Sequence, residues 1–288
     1  MVKFVKKIIY LFSLTGIMIV GIYAILIMFG NRTKGLAGEV FLAREKAQTP
    51  NECTVVYLGD SLCFQLWSEL DEDVDGICHI GCNQAITPAG SYLLLHEYLE
   101  NHPQTEEVYY IILPQTLGND ISLGFSYQYF VIPFCDDDNW ALLDEETQKE
   151  IYDKFGEIYV DNQWVKGILL NSNLFMKEYL NQVQKKSEKT YQHRISKTAV
   201  VYLSKMRDLC NEYGVNLYVK SSPLADIEIN HRWEEYEQDI IDYGFEDLLG
   251  DFIENIPYYP KDWFRDGTHF RADILEEYGD DIREATLN

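Results

Sequence analysis

Cys53-Thr54-Val55-Val56-Tyr57-Leu58-Gly59-Asp60-Ser61 opens as a short β-branched apolar run and closes on Gly-Asp-Ser. A run of this kind, stopped by Gly, predicts a strand buried on both faces, as in a parallel sheet. From Leu62 to Leu70 the spacing of Phe64, Leu66 and Trp67 becomes helical, so a helix follows the strand directly. The same alternation continues downstream. Gly76 to Gly81, with Ile77 and Ile80, predicts a second strand. Ser91 to Asn101 predicts a helix with Leu94, Leu95, Tyr98 and Leu99 on one face and Pro103 beyond its end; Val108 to Leu113 predicts a third strand. Ser196 to Tyr213 carries Ala199, Val200, Leu203, Met206, Leu209 and Cys210 at helical spacing, with Gly214 as its stop. Val215 to Val219 predicts the next strand, and Phe270 to Thr286 the last helix. Strands alternating with helices imply an α/β fold, a parallel sheet in a three-layer α/β/α arrangement.

Around that frame the chain divides by composition. Lys3, Lys6 and Lys7 precede an uncharged apolar run from Ile8 to Phe29, long enough for the ~20 residues a membrane span needs. The run is longer than a cleavable signal's apolar core, and no small-residue cleavage site adjoins it. Residues 1–30 are expected to be an uncleaved, single-pass N-terminal transmembrane helix. The basic residues ahead of it favour an inner N-terminus and an extracytoplasmic domain. Residues 31–52 are polar and predict a linker, leaving 53–288 as one catalytic domain. An aromatic-rich insertion at about 121–190 interrupts the alternation, either as a cover over the site or as a helical structural excursion. The formal net charge of -23 disfavours nucleic acid, whose phosphates such a chain would repel. Six cysteines, Cys53, Cys63, Cys78, Cys82, Cys135 and Cys210, permit disulfides on the outer side or serve as small buried hydrophobes. Their spacing does not fit a zinc site, and no metal or other cofactor is expected.

Two short motifs carry chemistry. A Ser at the turn from strand to helix stands at the carboxyl edge of the sheet, where open α/β folds bind ligands. Its backbone N–H and the helix dipole would both favour a developing negative charge there. Taken alone, Gly59-Asp60-Ser61 is equally a turn with Ser61 as helix cap. Asp266-Gly267-Thr268-His269 lies between Pro260 and the last helix. A hydroxyl nucleophile needs a base, and the base needs a partner that fixes its tautomer; Asp and His three residues apart can supply both. His79, His96, His102, His193 and His231 lack such a partner in a comparable loop and are expected to be structural or exposed.

Together, in this order and at these positions, the two motifs resemble the first and last signature blocks of the SGNH (GDSL-like) hydrolases, over about residues 53–275. The resemblance implies a flavodoxin-like fold and a triad of Ser61, Asp266 and His269, needing no cofactor. It also implies an oxyanion hole made by the Ser61 N–H, a backbone N–H of the second block and an amide side chain of the third. The second block here is His79-Ile80-Gly81-Cys82-Asn83-Gln84, so the donor is Gln84 or Gly81. Asn119 is the expected amide, with Gln115, nearer the strand end, as the alternative. A membrane-tethered member resembles the proteins that O-acylate exported glycans, such as those of alginate O-acetylation and teichoic acid D-alanine transfer. That likeness implies an esterase or acyltransferase on a cell-envelope polysaccharide, with an acylated carbohydrate or other ester as substrate and a membrane-embedded acyl donor as partner. The alternatives are a plain carboxylesterase or lipase, and a catalytically silent glycan-binding protein on the same fold.

Overall fold

The computed structural model describes residues 2–29, 36–69, 76–121, 124–184 and 194–288. Residues 31–35 of the expected linker, 122–123 and 185–190 of the expected insertion, and His193 lie outside them. Strands β1 (Val55–Gly59), β2 (Ile77–His79), β3 (Glu107–Ile112) and β4 (Asn216–Ser221) form one parallel sheet in the order β2-β1-β3-β4. These are the first four strands of the flavodoxin-like order. Just beyond β4, Leu224–Ala225 (β5) pairs in parallel with Tyr258–Tyr259 (β6). Val56, Leu58, Tyr110 and Ile111 are fully buried, as a sheet covered on both faces requires.

Helices α1 (Val2–Phe29), α2 (Gly38–Gln48), α3 (Ser61–Trp67) and α4 (Thr87–Asn101) precede the insertion. Within it lie α5 (Glu145–Phe155), α6 (Gln163–Leu170) and α7 (Asn173–Gln184). Then come α8 (Lys197–Tyr213), α9 (Glu234–Tyr243) and α10 (Ala272–Leu287). One outer layer is α2, α4 and α8, with α2 and α8 each packed on α4; α10 packs on α3 and β4 from the other side. The arrangement is three-layered, α/β/α, as the alternation predicts. α8 shows why its ends were visible locally: Ser196 Oγ accepts from the Ala199 N–H at 3.0 Å, and Gly214 closes the helix at φ 71°.

The expected linker is corrected over Gly38–Gln48, which is a helix rather than a polar connector. Only Val40, Ala43 and Ala47 form its buried face, too few apolar residues to mark a helix by pattern. That apolar face is joined by ion pairs of Arg44. Arg44 pairs with Glu97 of α4 through two contacts, Nε to Oε2 at 3.0 Å and Nη2 to Oε1. Arg44 also donates to the Pro133 carbonyl and, at 3.3 Å, to Asp136.

The insertion is helical, and its aromatic residues mostly form a core. Tyr127 is fully buried against Phe155, Tyr159 and Tyr179, and Phe130 lies against Gly90 of α4. Trp140 is half-buried on Tyr152. Among the described residues no hydrogen bond or ring contact joins these side chains to Ser61, Asp266 or His269. All six cysteines are buried thiols, with no disulfide. α1 is long and apolar enough to cross a membrane, and Phe4–Gly21 is wholly exposed on the protein.

Candidate active site

The site is built where β1 and β3 come closest. A Cβ on Gly59 would stand 1.9 Å from the Ile111 carbonyl oxygen, so the strand must end in Gly for the turn to form. Asp60 follows in extended conformation and caps α3, its Oδ1 accepting from the Leu62 N–H at 3.0 Å. Its Oδ2 accepts from the Leu113 N–H at 2.6 Å and the Thr116 hydroxyl at 3.1 Å. The carboxylate thus ties the turn after β1 to the turn after β3. Burial raises the Asp60 pKa, and these donors only partly oppose that. Cys63, two residues beyond Ser61, is no competing nucleophile: burial, reinforced by Asp60, pushes its thiol well above the ordinary range.

Ser61 is the first residue of α3, and its Oγ lies 2.9 Å from His269 Nε2. His269 Nδ1 lies 3.0 Å from Asp266 Oδ2 and 3.2 Å from Oδ1. The Asp266 Oδ1 also accepts the backbone N–H groups of His269 at 2.8 Å and Thr268 at 3.1 Å. Desolvation would raise the Asp266 pKa, but these donors and the imidazole together hold it well below the usual carboxylate range. The three side chains named from sequence are therefore together. Chemically, such a row can move a proton from the hydroxyl to an imidazole whose tautomer the carboxylate fixes.

The loop bearing Asp266 and His269 is a tight hairpin. Gly267 turns it at φ 86°, Arg265 N–H donates to the His269 carbonyl at 2.7 Å, and Phe264 and Phe270 stack at 4.4 Å. One contact was missed by sequence reasoning. Gln65, one helical turn after Ser61, donates from Nε2 to the Phe270 carbonyl at 2.9 Å and accepts the Phe270 N–H at 3.0 Å. A single amide thus clamps the helix bearing Ser61 to the neighbour of His269. The i, i+4 spacing from Ser61 was the available signal, but Gln on a helix face is commonplace.

The remaining candidates differ in placement. A Cβ on Gly81 would stand 2.7 Å from the Phe64 nitrogen, so the 81–83 segment rests on the first turn of α3. Cys82 N–H donates to the Gly59 carbonyl at 3.0 Å. Gln84 is exposed and heads the turn Gln84–Ile86, which Asn83 caps through the Ala85 N–H. Gln115 lies between Leu113 and Thr116, both bonded to Asp60, and its Oε1 is buried without a hydrogen-bond partner among the described residues. Asn119 closes the same turn, its N–H donating to the Thr116 carbonyl at 3.1 Å and its own carbonyl accepting from Ser196 Oγ at the start of α8. Among the described residues no group of three or more His, Cys, Asp or Glu gathers as a metal site would.

No family model and no curated protein matches the chain. A crystal structure of a Bacteroides fragilis protein, provisionally named an acylhydrolase, is similar at TM-score 0.38 and 12% identity, over 85% of this chain and 91% of that one. A likeness this distant does not assign an activity.

Proposed function

We propose that the protein is a membrane-anchored serine esterase or acyltransferase of the SGNH type. The observation that carries this reading is the row Ser61–His269–Asp266, at 2.9 Å and 3.0 Å, on the carboxyl edge of a parallel sheet. His269, oriented by Asp266, takes the Ser61 proton as Oγ attacks an ester carbonyl. The oxyanion is received by the Ser61 N–H at the start of α3, by the N–H of Gly81 or Gln84, and by a side-chain amide. That amide is Asn119 or its alternative Gln115, whose neighbours Leu113 and Thr116 bond to Asp60. The leaving alcohol takes the proton from His269, and water or a sugar hydroxyl then resolves the acyl-Ser61 ester. α1 anchors the chain in the membrane, and Lys3, Lys6 and Lys7 favour an outer domain. An extracytoplasmic site fixed beside the bilayer suits acyl groups on an emerging cell-envelope glycan.

A second reading, plain ester hydrolysis, is favoured by exposure. The Asp266 side chain is 45% exposed and that of His269 27%, so water reaches the triad. Transfer would require an acceptor hydroxyl held far better than bulk water at ~55 M.

The test is labelling by a serine-directed fluorophosphonate, together with turnover of an acetyl ester. Ser61→Ala and His269→Ala should each lower kcat by about 10³-fold or more, and the double variant should be little worse than either. Wild-type turnover in Ser61→Ala would end the assignment. Adding a sugar acceptor and comparing acylated sugar with free acid separates transfer from hydrolysis.

A further inference from the structure

The chain is strongly acidic, yet from Asn162 to Phe175 the only charged residue is Lys166. That Lys is turned inward: it is 2% exposed and donates to the Cys135 carbonyl. What this stretch shows to solvent is apolar side chains and uncharged amides. Trp164 is 49% exposed, Ile168 37%, Leu174 74% and Phe175 54%. Trp164 and Ile168 are one turn apart on α6, and Leu174 and Phe175 open α7, which packs on α6. The polar residues among them, Asn162, Gln163, Asn171, Ser172 and Asn173, carry no charge.

Position identifies the occupant of this face. α6 is in contact with α1. Phe4–Gly21 of that same helix is exposed and apolar. An open cleft bordering α7 is lined by the apolar Leu36, Phe125, Met176 and Leu180 together with Gln128, Asn173, Asn181 and, at its rim, Lys177, and Leu36 is the first described residue after α1. The Asn162–Phe175 surface, aromatic, aliphatic and amide without an exposed charge, therefore stands beside the helix that would span the bilayer, with the cation Lys177 at its border. Elsewhere an acidic surface would be repelled by anionic headgroups. Here Trp and uncharged amides match the headgroup level, and Leu and Phe match the acyl boundary.

We propose that the α6–α7 face is a membrane-docking surface for a lipid bilayer. Trp164, Ile168, Leu174 and Phe175 enter the headgroup–acyl boundary by about 5–10 Å beside α1. The domain then lies on the membrane in one orientation instead of swinging on its anchor. The inference rests on the membrane-anchor part of the proposed function and is independent of the triad chemistry.

The experiment uses the full chain reconstituted in phosphatidylcholine vesicles, with and without lipids brominated near the headgroup end of their acyl chains. Bromine quenches only indoles that reach it, and α1 contains no Trp, so any quenching reports on the domain. The wild type should lose part of its Trp emission in brominated vesicles, and Trp164→Phe should abolish that loss. Adding Phe175→Trp to Trp164→Phe should restore it. A quenched fraction that is absent in the wild type, unchanged by Trp164→Phe, or not restored by Phe175→Trp overturns the docking surface. Protein that floats with vesicles without this quenching leaves the anchor standing. Protein that does not float removes anchor and docking together. Ester turnover, measured in parallel, separates either result from a failure of the hydrolase reading.

Discussion

Asp60 acts at the smallest scale. It is nearly absent from solvent and accepts three hydrogen bonds, two of them from the turn after β3. An Asn there offers one acceptor oxygen where the carboxylate has two, so a buried donor loses its partner. Asp60→Asn should cost about 1–3 kcal/mol in unfolding free energy, read from urea denaturation. An unchanged midpoint would mean that the turns are held together some other way. The pKa of Asp266 moves the opposite way from that of Asp60. Its pKa is depressed in the folded protein, so its contribution is complete above the ordinary Asp value of about 3.9 and is lost only as pH falls through the lower folded value. The Asp266 carboxyl should therefore stay ionised at pH values where exposed carboxylates are protonated. Carboxyl carbon NMR across an acid titration measures this, and a midpoint at or above the ordinary value would contradict it.

Between residue and molecule stand α3 and the hairpin after Trp263. Ser61 and His269 are 208 positions apart in the chain, and the amide of Gln65 bonds both backbone groups of Phe270. Gln65→Met keeps the length and removes both bonds. A catalytic group displaced by an ångström can cost about 10²-fold in rate, so kcat should fall on that order, with KM and thermal midpoint little changed. Gln65→Glu keeps the acceptor for the Phe270 N–H and should recover part of the loss. A fall in thermal stability with unaltered kcat would make Gln65 a structural residue only.

At the scale of the whole molecule, Arg44 joins three parts: α2, α4 through Glu97, and the insertion through Pro133 and Asp136. Both members of the principal pair are mostly buried, at 15% and 11% side-chain exposure. Removing one partner strands the other, which for buried pairs costs about 3–5 kcal/mol. Arg44→Met should destabilise to that degree in chemical denaturation. Replacing Glu97 by Met as well should return much of the stability, since two apolar side chains leave no stranded charge. A double variant as unstable as the single one would show that packing, and not the charge, is what Arg44 supplies.

Local pattern in this chain determined the order of strands and helices. Burial on a parallel sheet demands the run Val55–Leu58, and caps such as Ser196 and Gly214 act within one helical turn, so both are legible residue by residue. The apolar span and the two motifs holding Ser61, Asp266 and His269 were legible for the same reason. What pattern cannot carry is a contact made across the fold. Helix Gly38–Gln48 docks through three buried residues and the contact of Arg44 with Glu97, and its composition hides it. The bonds that Leu113 and Thr116, the neighbours of Gln115, make to Asp60, and that Ser196 makes to the Asn119 carbonyl, are likewise invisible in pattern. The approach of His269 to Ser61, and the Gln65 amide that secures it, were decided by the tertiary structure. Strand order and layer packing brought these distant segments to one edge of the sheet, and their spacing in the chain contains no measure of that distance.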